Sequence, residues 1–142
     1  MSQRDSGYER KERDLYETPE WVTEALLPHL SKWRTEDAWE PACGSGKMAR
    51  VLRRHFSHVY TWDIELNSSA PGMLQADFLD FEEAPDGFEA IITNPPYELA
   101  TEFCEKALQL TEPDGGMVAM LLRTDFDHAK TRSHLFRDCP AF

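Results

Sequence analysis

The chain has 142 residues, is 41% hydrophobic and carries a net charge of −11, from 26 acidic and 15 basic side chains. That length serves one domain with one core, no apolar run approaches the ~18 residues of a membrane span, and the overall charge is the opposite of a basic nucleic-acid footprint. The three cysteines, Cys43, Cys104 and Cys139, lie far apart with no CxxC, which argues against a disulfide framework and for a reducing, cytoplasmic setting.

Met1 to Asp14 is polar and charged. It lacks both apolar periodicity and the apolar stretch of a signal peptide, and reads as a mobile arm ahead of a domain over residues 15–142. Tyr16-Glu17-Thr18-Pro19 introduces a helix, with Thr18 suited to the N-cap and Pro19 to the first helical position. Trp21, Val22, Ala25, Leu26 and Leu30 recur at helical spacing as its apolar face, and Pro28 should kink or end it. Asp37 to Glu40 is a short strand running into the turn Pro41-Ala42-Cys43-Gly44-Ser45-Gly46. A helix from Lys47 to Phe56 follows, with Met48, Val51, Leu52 and Phe56 inward.

His58 to Trp62 is the second strand, closing on Asp63-Ile64, and Met73 to Ala76 is a weak third, closing on Asp77-Phe78. Phe88 to Thr93 is the fourth. It ends at Asn94-Pro95-Pro96-Tyr97, because consecutive prolines cannot continue a ladder. Leu99 to Leu110 is a helix with Leu99, Phe103, Ala107 and Leu110 on one face. Pro113 to Gly116 turns the chain into a fifth, buried strand, Met117 to Leu122, and Ala129 to Phe136 reads as a last helix. The alternation predicts a parallel sheet with right-handed crossovers.

Strand, glycine turn and helix form the first unit of a nucleotide-binding α/β fold. The turn alone leaves its ligand open. Gly44-x-Gly46-x-x-Ala49 also fits a dinucleotide fingerprint with Asp63 on the ribose, whereas a P-loop is excluded by its glycine spacing. The fourth strand's end is more specific. Asn94 offers a side-chain carbonyl, Pro95 a backbone carbonyl and Tyr97 a flat ring, a set that suits a planar substrate carrying an NH₂ group. Glu40, Asp63, Asp77 and Asn94 all fall at carboxyl ends of predicted parallel strands, so they should meet in one crevice.

This order of signals over residues 16–126 resembles the S-adenosylmethionine-dependent amino-methyltransferases, whose fourth strand ends in (Asp/Asn/Ser)-Pro-Pro-(Tyr/Phe), and is most similar to phage and bacterial DNA adenine methyltransferase-like proteins. The resemblance implies a Rossmann-like class I methyltransferase fold, α/β with a mostly parallel sheet and flanking helices. It implies two further hairpin strands as well. The chain reaches Phe142 before them, so the expected sheet is abbreviated or truncated at that end.

The resemblance further implies that S-adenosylmethionine is the cofactor, that no metal is needed, and that an exocyclic amine is methylated, foremost the 6-amino group of adenine in DNA. RNA bases, a protein glutamine or a non-catalytic cofactor-binding role are the alternatives. Carried onto this sequence, Asn94, Pro95, Pro96 and Tyr97 are catalytic. The cofactor would be held by Tyr16, Thr18 and Pro19, by Glu40, Ala42, Cys43, Gly44 and Gly46, by Asp63 and Ile64, by Asp77 and Phe78, and by Asn94. In those roles Glu40 faces the methionine ammonium or sulfonium and Asp63 the ribose hydroxyls. Asp77 takes the adenine amine, and Phe78 stacks on that ring or belongs to the core. Thr18 touches the methionine carboxylate, caps its helix, or does both. Candidate phosphate contacts are the basic helix from Lys47 to His55 and, near the end, Arg123, Lys130, Arg132 and Arg137.

Overall fold

A computed structural model describes residues 17–30, 37–67, 69–70, 72–84, 88, 90–126 and 132–137. The proposed arm, Tyr16, Lys130 and Cys139 lie outside them. Among the described residues five strands form one sheet: β1 (Asp37–Glu40), β2 (His58–Asp63), β3 (Leu74–Gln75), β4 (Ala90–Thr93) and β5 (Met117–Met120). Their order is β3-β2-β1-β4-β5 and every pairing is parallel. Among the described residues the α-helices are α1 (Glu20–Leu26), α2 (Lys47–Leu52), α3 (Ala100–Thr111) and α4 (His134–Arg137). This is the expected α/β architecture. The strand order reverses between β1 and β4, and that switch point is where open parallel sheets leave a crevice beyond their carboxyl ends.

Side chains alternate across a strand, and the sheet uses both faces. Ala38, Val59, Ala90 and Ile92 pack with Met48, Ala49 and Leu52 of α2 and with Leu26, Leu27 and Leu30. On the other face Trp39 and Ile91 pack with Phe103, Ala107 and Leu110 of α3. Trp39 is fully buried, with its ring 4.7 to 5.4 Å from those of Trp62, Phe78, Phe81 and Phe88. Trp39→Ala is therefore expected to cost about 3–5 kcal/mol, read as a lower urea midpoint at unchanged m-value.

Three expectations are corrected. The helix at residue 20 is capped by Pro19 rather than Thr18, with no side-chain cap hydrogen bond. Its inward stripe is Thr23 and Leu30 with half-buried Leu26 and Leu27, whereas Trp21 is 70% exposed and Ala25 is exposed. On the exposed side Arg54, on the turn after α2, pairs with Glu20 at 3.5 Å and Glu24 at 2.8 Å, consistent with that rotation. Pro28 acts as expected: the α-helix stops at Leu26 and continues as a 3₁₀ turn, Leu27–Leu30. The fifth strand is only half-buried beyond Met117, because among the described residues β4 is its one neighbour. Of the last predicted helix, the described residues hold only α4; residues 129–131 lie outside them. No helix of the described residues is long and apolar enough to cross a membrane.

Candidate functional site

A cleft of about 210 Å³ opens at the switch point. The end of β1 and the turn after it bring Glu40, Ala42, Cys43 and Gly44 to it, and the end of β2 brings Asp63 and Ile64. Asp77 and Phe78 enter from beyond β3, Asn94, Pro95, Pro96 and Tyr97 from beyond β4, and Thr18 from the segment before α1. Two candidates do not line it. Pro19 caps α1. Gly46, at φ +89°, caps α2, and a Cβ there would meet the Ala70 Cβ at 3.4 Å. Its role is to make the turn. Tyr16 lies outside the described residues.

The glycine turn and Asp63 hold each other. Gly44, at φ +52°, donates its N–H to Asp63 Oδ2 at 2.9 Å, and Glu65 donates to Oδ1 at 3.1 Å. The Cys43 N–H donates to the Trp62 carbonyl at 2.9 Å. A carboxylate has about four acceptor positions, so Asp63 keeps capacity toward the cleft after both loop bonds are made. Asp77 spends one oxygen on its own 3₁₀ turn, accepting from the Leu79 N–H at 3.0 Å.

Glu40 is the unusual member, a carboxyl only 2% exposed. Its Oε1 accepts both the Thr93 hydroxyl and the Ala42 N–H, the latter at 3.1 Å. Burial pushes its pKa up to about 8, against the pull of those two bonds, and Asp63 adds repulsion. At neutral pH the unliganded site therefore stores a largely protonated carboxyl that a cation would ionise. The Cys43 thiol is driven up to about 12 by burial and by the neighbouring carboxyls. It is a neutral wall rather than a nucleophile.

Past β4 the two prolines leave the sheet, and a 3₁₀ turn, Tyr97–Leu99, passes into α3. Asn94 is the pivot. Its Nδ2 donates to Thr18 Oγ1 at 3.1 Å, which anchors the amide by its nitrogen and commits its oxygen to the other direction. Thr18 is 93% buried and serves as this anchor rather than as a helix cap. Tyr97 stands 62% exposed at the rim. No comparison with protein families or with curated proteins gave a match.

Two expected roles change. Phe78 is 2% exposed, with rings of Trp39 and Phe103 at 5.2 and 5.0 Å. It is the cleft's floor and has no free face for stacking. The basic helix is largely spent on the fold: Arg54 pairs with Glu20 and Glu24, Arg53 donates to the Val59 carbonyl at 3.3 Å, and Lys47 pairs with Glu17 at 3.2 Å.

Sequence reasoning missed Thr93, the Glu17–Lys47 pair and Glu65. Thr93 follows the apolar residues of a buried strand, and only its position one residue before Asn94 hinted at a polar task. Among the described residues Glu17, Glu40, Asp63, Glu65 and Asp77 put five carboxyl groups around the cleft against one lysine, Lys47. That balance suits a cationic ligand and opposes a pyrophosphate lying on the glycine turn.

Proposed function

We propose that the chain is an S-adenosylmethionine-dependent methyltransferase acting on an exocyclic amino group, that of adenine in DNA. One observation carries the reading: an asparagine amide, pinned by its nitrogen to a buried threonine, sits where an acidic cleft meets an exposed tyrosine. The residues fit the cofactor on two counts. The ligand carries a sulfonium and an ammonium, which the carboxyl-rich walls favour, and the left-handed glycine turn brings backbone rather than side chains to its surface. An NAD-type dinucleotide would set its phosphates against the same carboxyls.

Bound there, S-adenosylmethionine supplies a methyl group activated by its sulfonium. Glu40 would face the cationic methionine end. Asp63, already fixed by two backbone N–H groups, would take the ribose hydroxyls, and Asp77 the adenine amine. Half-buried Ile64 supplies an apolar wall.

An aromatic amine is a poor nucleophile because its lone pair is delocalised into the ring. Accepting both its hydrogens, at Asn94 Oδ1 and the Pro95 carbonyl, localises that lone pair and stabilises the positive charge that develops on nitrogen. Tyr97 gives the base a face to stack on and restricts its approach. A base in duplex DNA must first leave the stack.

The test is transfer of a methyl-labelled cofactor to three acceptors side by side: a DNA oligonucleotide, an RNA of the same sequence and a glutamine peptide. Label in DNA adenine is expected. Label in the peptide alone would assign the site to a protein amide, the acceptor that the net charge of −11 favours. No label in any acceptor would remove the reading.

A further inference from the structure

The Asn94–Tyr97 loop has a second side. Beyond it lies a cavity of about 320 Å³ walled by Tyr97, Thr101, Leu121, Arg123, Phe126 and Arg132, a volume within the range of small-ligand sites. Pro95 and Tyr97 belong to both cavities, so this loop is the partition between them. The charge inverts across it. Among the described residues the first cavity gathers five carboxyl groups and one lysine, whereas the second has two guanidinium groups and one carboxylate, Asp125. In a chain of net charge −11, two arginines beside the exposed Tyr97 stand against the overall field.

Arg132 is built in. Its Nε donates to the Phe126 carbonyl at 2.5 Å, and its guanidinium lies 4.2 Å from the centre of the Phe126 ring. Among the described residues it is thus oriented by a carbonyl and a ring, and neither cancels its charge. Arg123 is the more exposed of the two, its side chain 69% exposed and paired with the exposed Asp125 at 3.3 Å. A surface pair of that kind is worth ~0–1 kcal/mol and yields readily to a stronger anion. Leu121, Phe126 and Tyr97 supply the apolar surface that a sugar or base edge needs.

We propose that this cavity is the phosphate subsite of the acceptor. A backbone phosphate of the target strand binds Arg123 and Arg132 while its base lies against Tyr97. The proposal rests on the methyl-transfer reading and sharpens it, because a nucleic-acid strand brings an anion to this cavity and a glutamine side chain does not. A cation-holding cleft on one side of Asn94 and an anion-holding one on the other also keep donor and acceptor from exchanging places.

The test is binding of a fluorescein-labelled single-stranded oligonucleotide, followed by anisotropy between 50 and 300 mM salt, for the wild type, Arg123→Gln and Arg132→Gln. The wild type is expected to bind with a log–log salt slope that falls by about 0.7 in each variant. Affinity should weaken roughly tenfold at the lowest salt. In the labelled-methyl assay KM for the oligonucleotide should rise by a similar factor with kcat unchanged, and transfer to free deoxyadenosine should not respond.

Arg132 supports the Phe126 turn, but Arg123 sits at the surface, so Arg123→Gln keeps the test decisive if Arg132→Gln does not fold. Absence of wild-type binding, or an Arg123→Gln slope equal to that of the wild type, overturns the subsite. Arginine-dependent binding without methyl label in any acceptor supports the subsite and removes the methyl-transfer reading instead.

Discussion

Asn94→Ala is expected to lower the rate of methyl transfer by roughly 10²–10³-fold, the usual loss when one preorganised group that meets transition-state charge is removed. Affinity for the donor should change little, because the amide oxygen acts on charge that develops only as the C–N bond forms. The effect should divide along the Asn94–Thr18 bond. Thr18→Val keeps the amide but removes its anchor, so the oxygen is present yet free to turn away. A fall of about tenfold in kcat is expected, recovered by Thr18→Ser, which restores an acceptor at the same place. Single-turnover rates and calorimetric titration of the donor separate the two effects. Equal loss of rate and of donor affinity in Asn94→Ala would move this residue from the chemistry to cofactor binding.

The second large effect is a dependence of stability on pH that runs opposite to the usual carboxylate. Glu40 titrates near 8 when folded and near 4.5 when exposed. Between those values the native state holds a proton that the unfolded chain has released. Stability is then full below about 4.5 and is lost as pH rises through about 8. Each unit of displacement is worth ~1.4 kcal/mol, so the loss amounts to several kcal/mol. Asp63 is the charged group facing Glu40, while Thr93 and the Ala42 N–H oppose the shift by hydrogen bonding. In Glu40→Gln the thermal midpoint should become nearly independent of pH between 5 and 8. A wild-type midpoint that rises over that interval would contradict the assignment. A cationic donor favours the ionised carboxyl, so its binding should release a proton and tighten as pH approaches 8, and Glu40→Gln should remove that dependence.

The strand ends are legible in the sequence because their signals are local. Glycines after a short strand, an acid after an apolar run and two consecutive prolines each determine the backbone within a few residues. The parallel sheet follows from the alternation of such units. The connections that make the site work are long-range. Thr18 and Asn94 are 76 residues apart and Glu40 and Thr93 are 53 apart, and no periodicity links them. Trp21 misled for a related reason. The helical spacing from Trp21 to Leu30 does not show which elements the helix meets; in the fold Thr23 and Leu30 are buried, and Glu20 and Glu24 meet Arg54 on the exposed side. Phe78 after Asp77 could stack on a ligand or fill a core, and only the ring cluster around Trp39 decides between these. The second cavity depends on Arg123 and Arg132 converging beside Tyr97. The net charge of −11 hides that local inversion.

The most direct measurement is the yield of 6-methyladenine, by mass spectrometry of nucleosides digested from a DNA oligonucleotide, after incubation with S-adenosylmethionine and either the wild type or Asn94→Ala. 6-Methyladenine is expected with the wild type, and at least a hundredfold less of it with the variant. Equal yields from the two proteins, or a wild type that leaves adenine unmodified while methylating another nitrogen, would contradict that expectation.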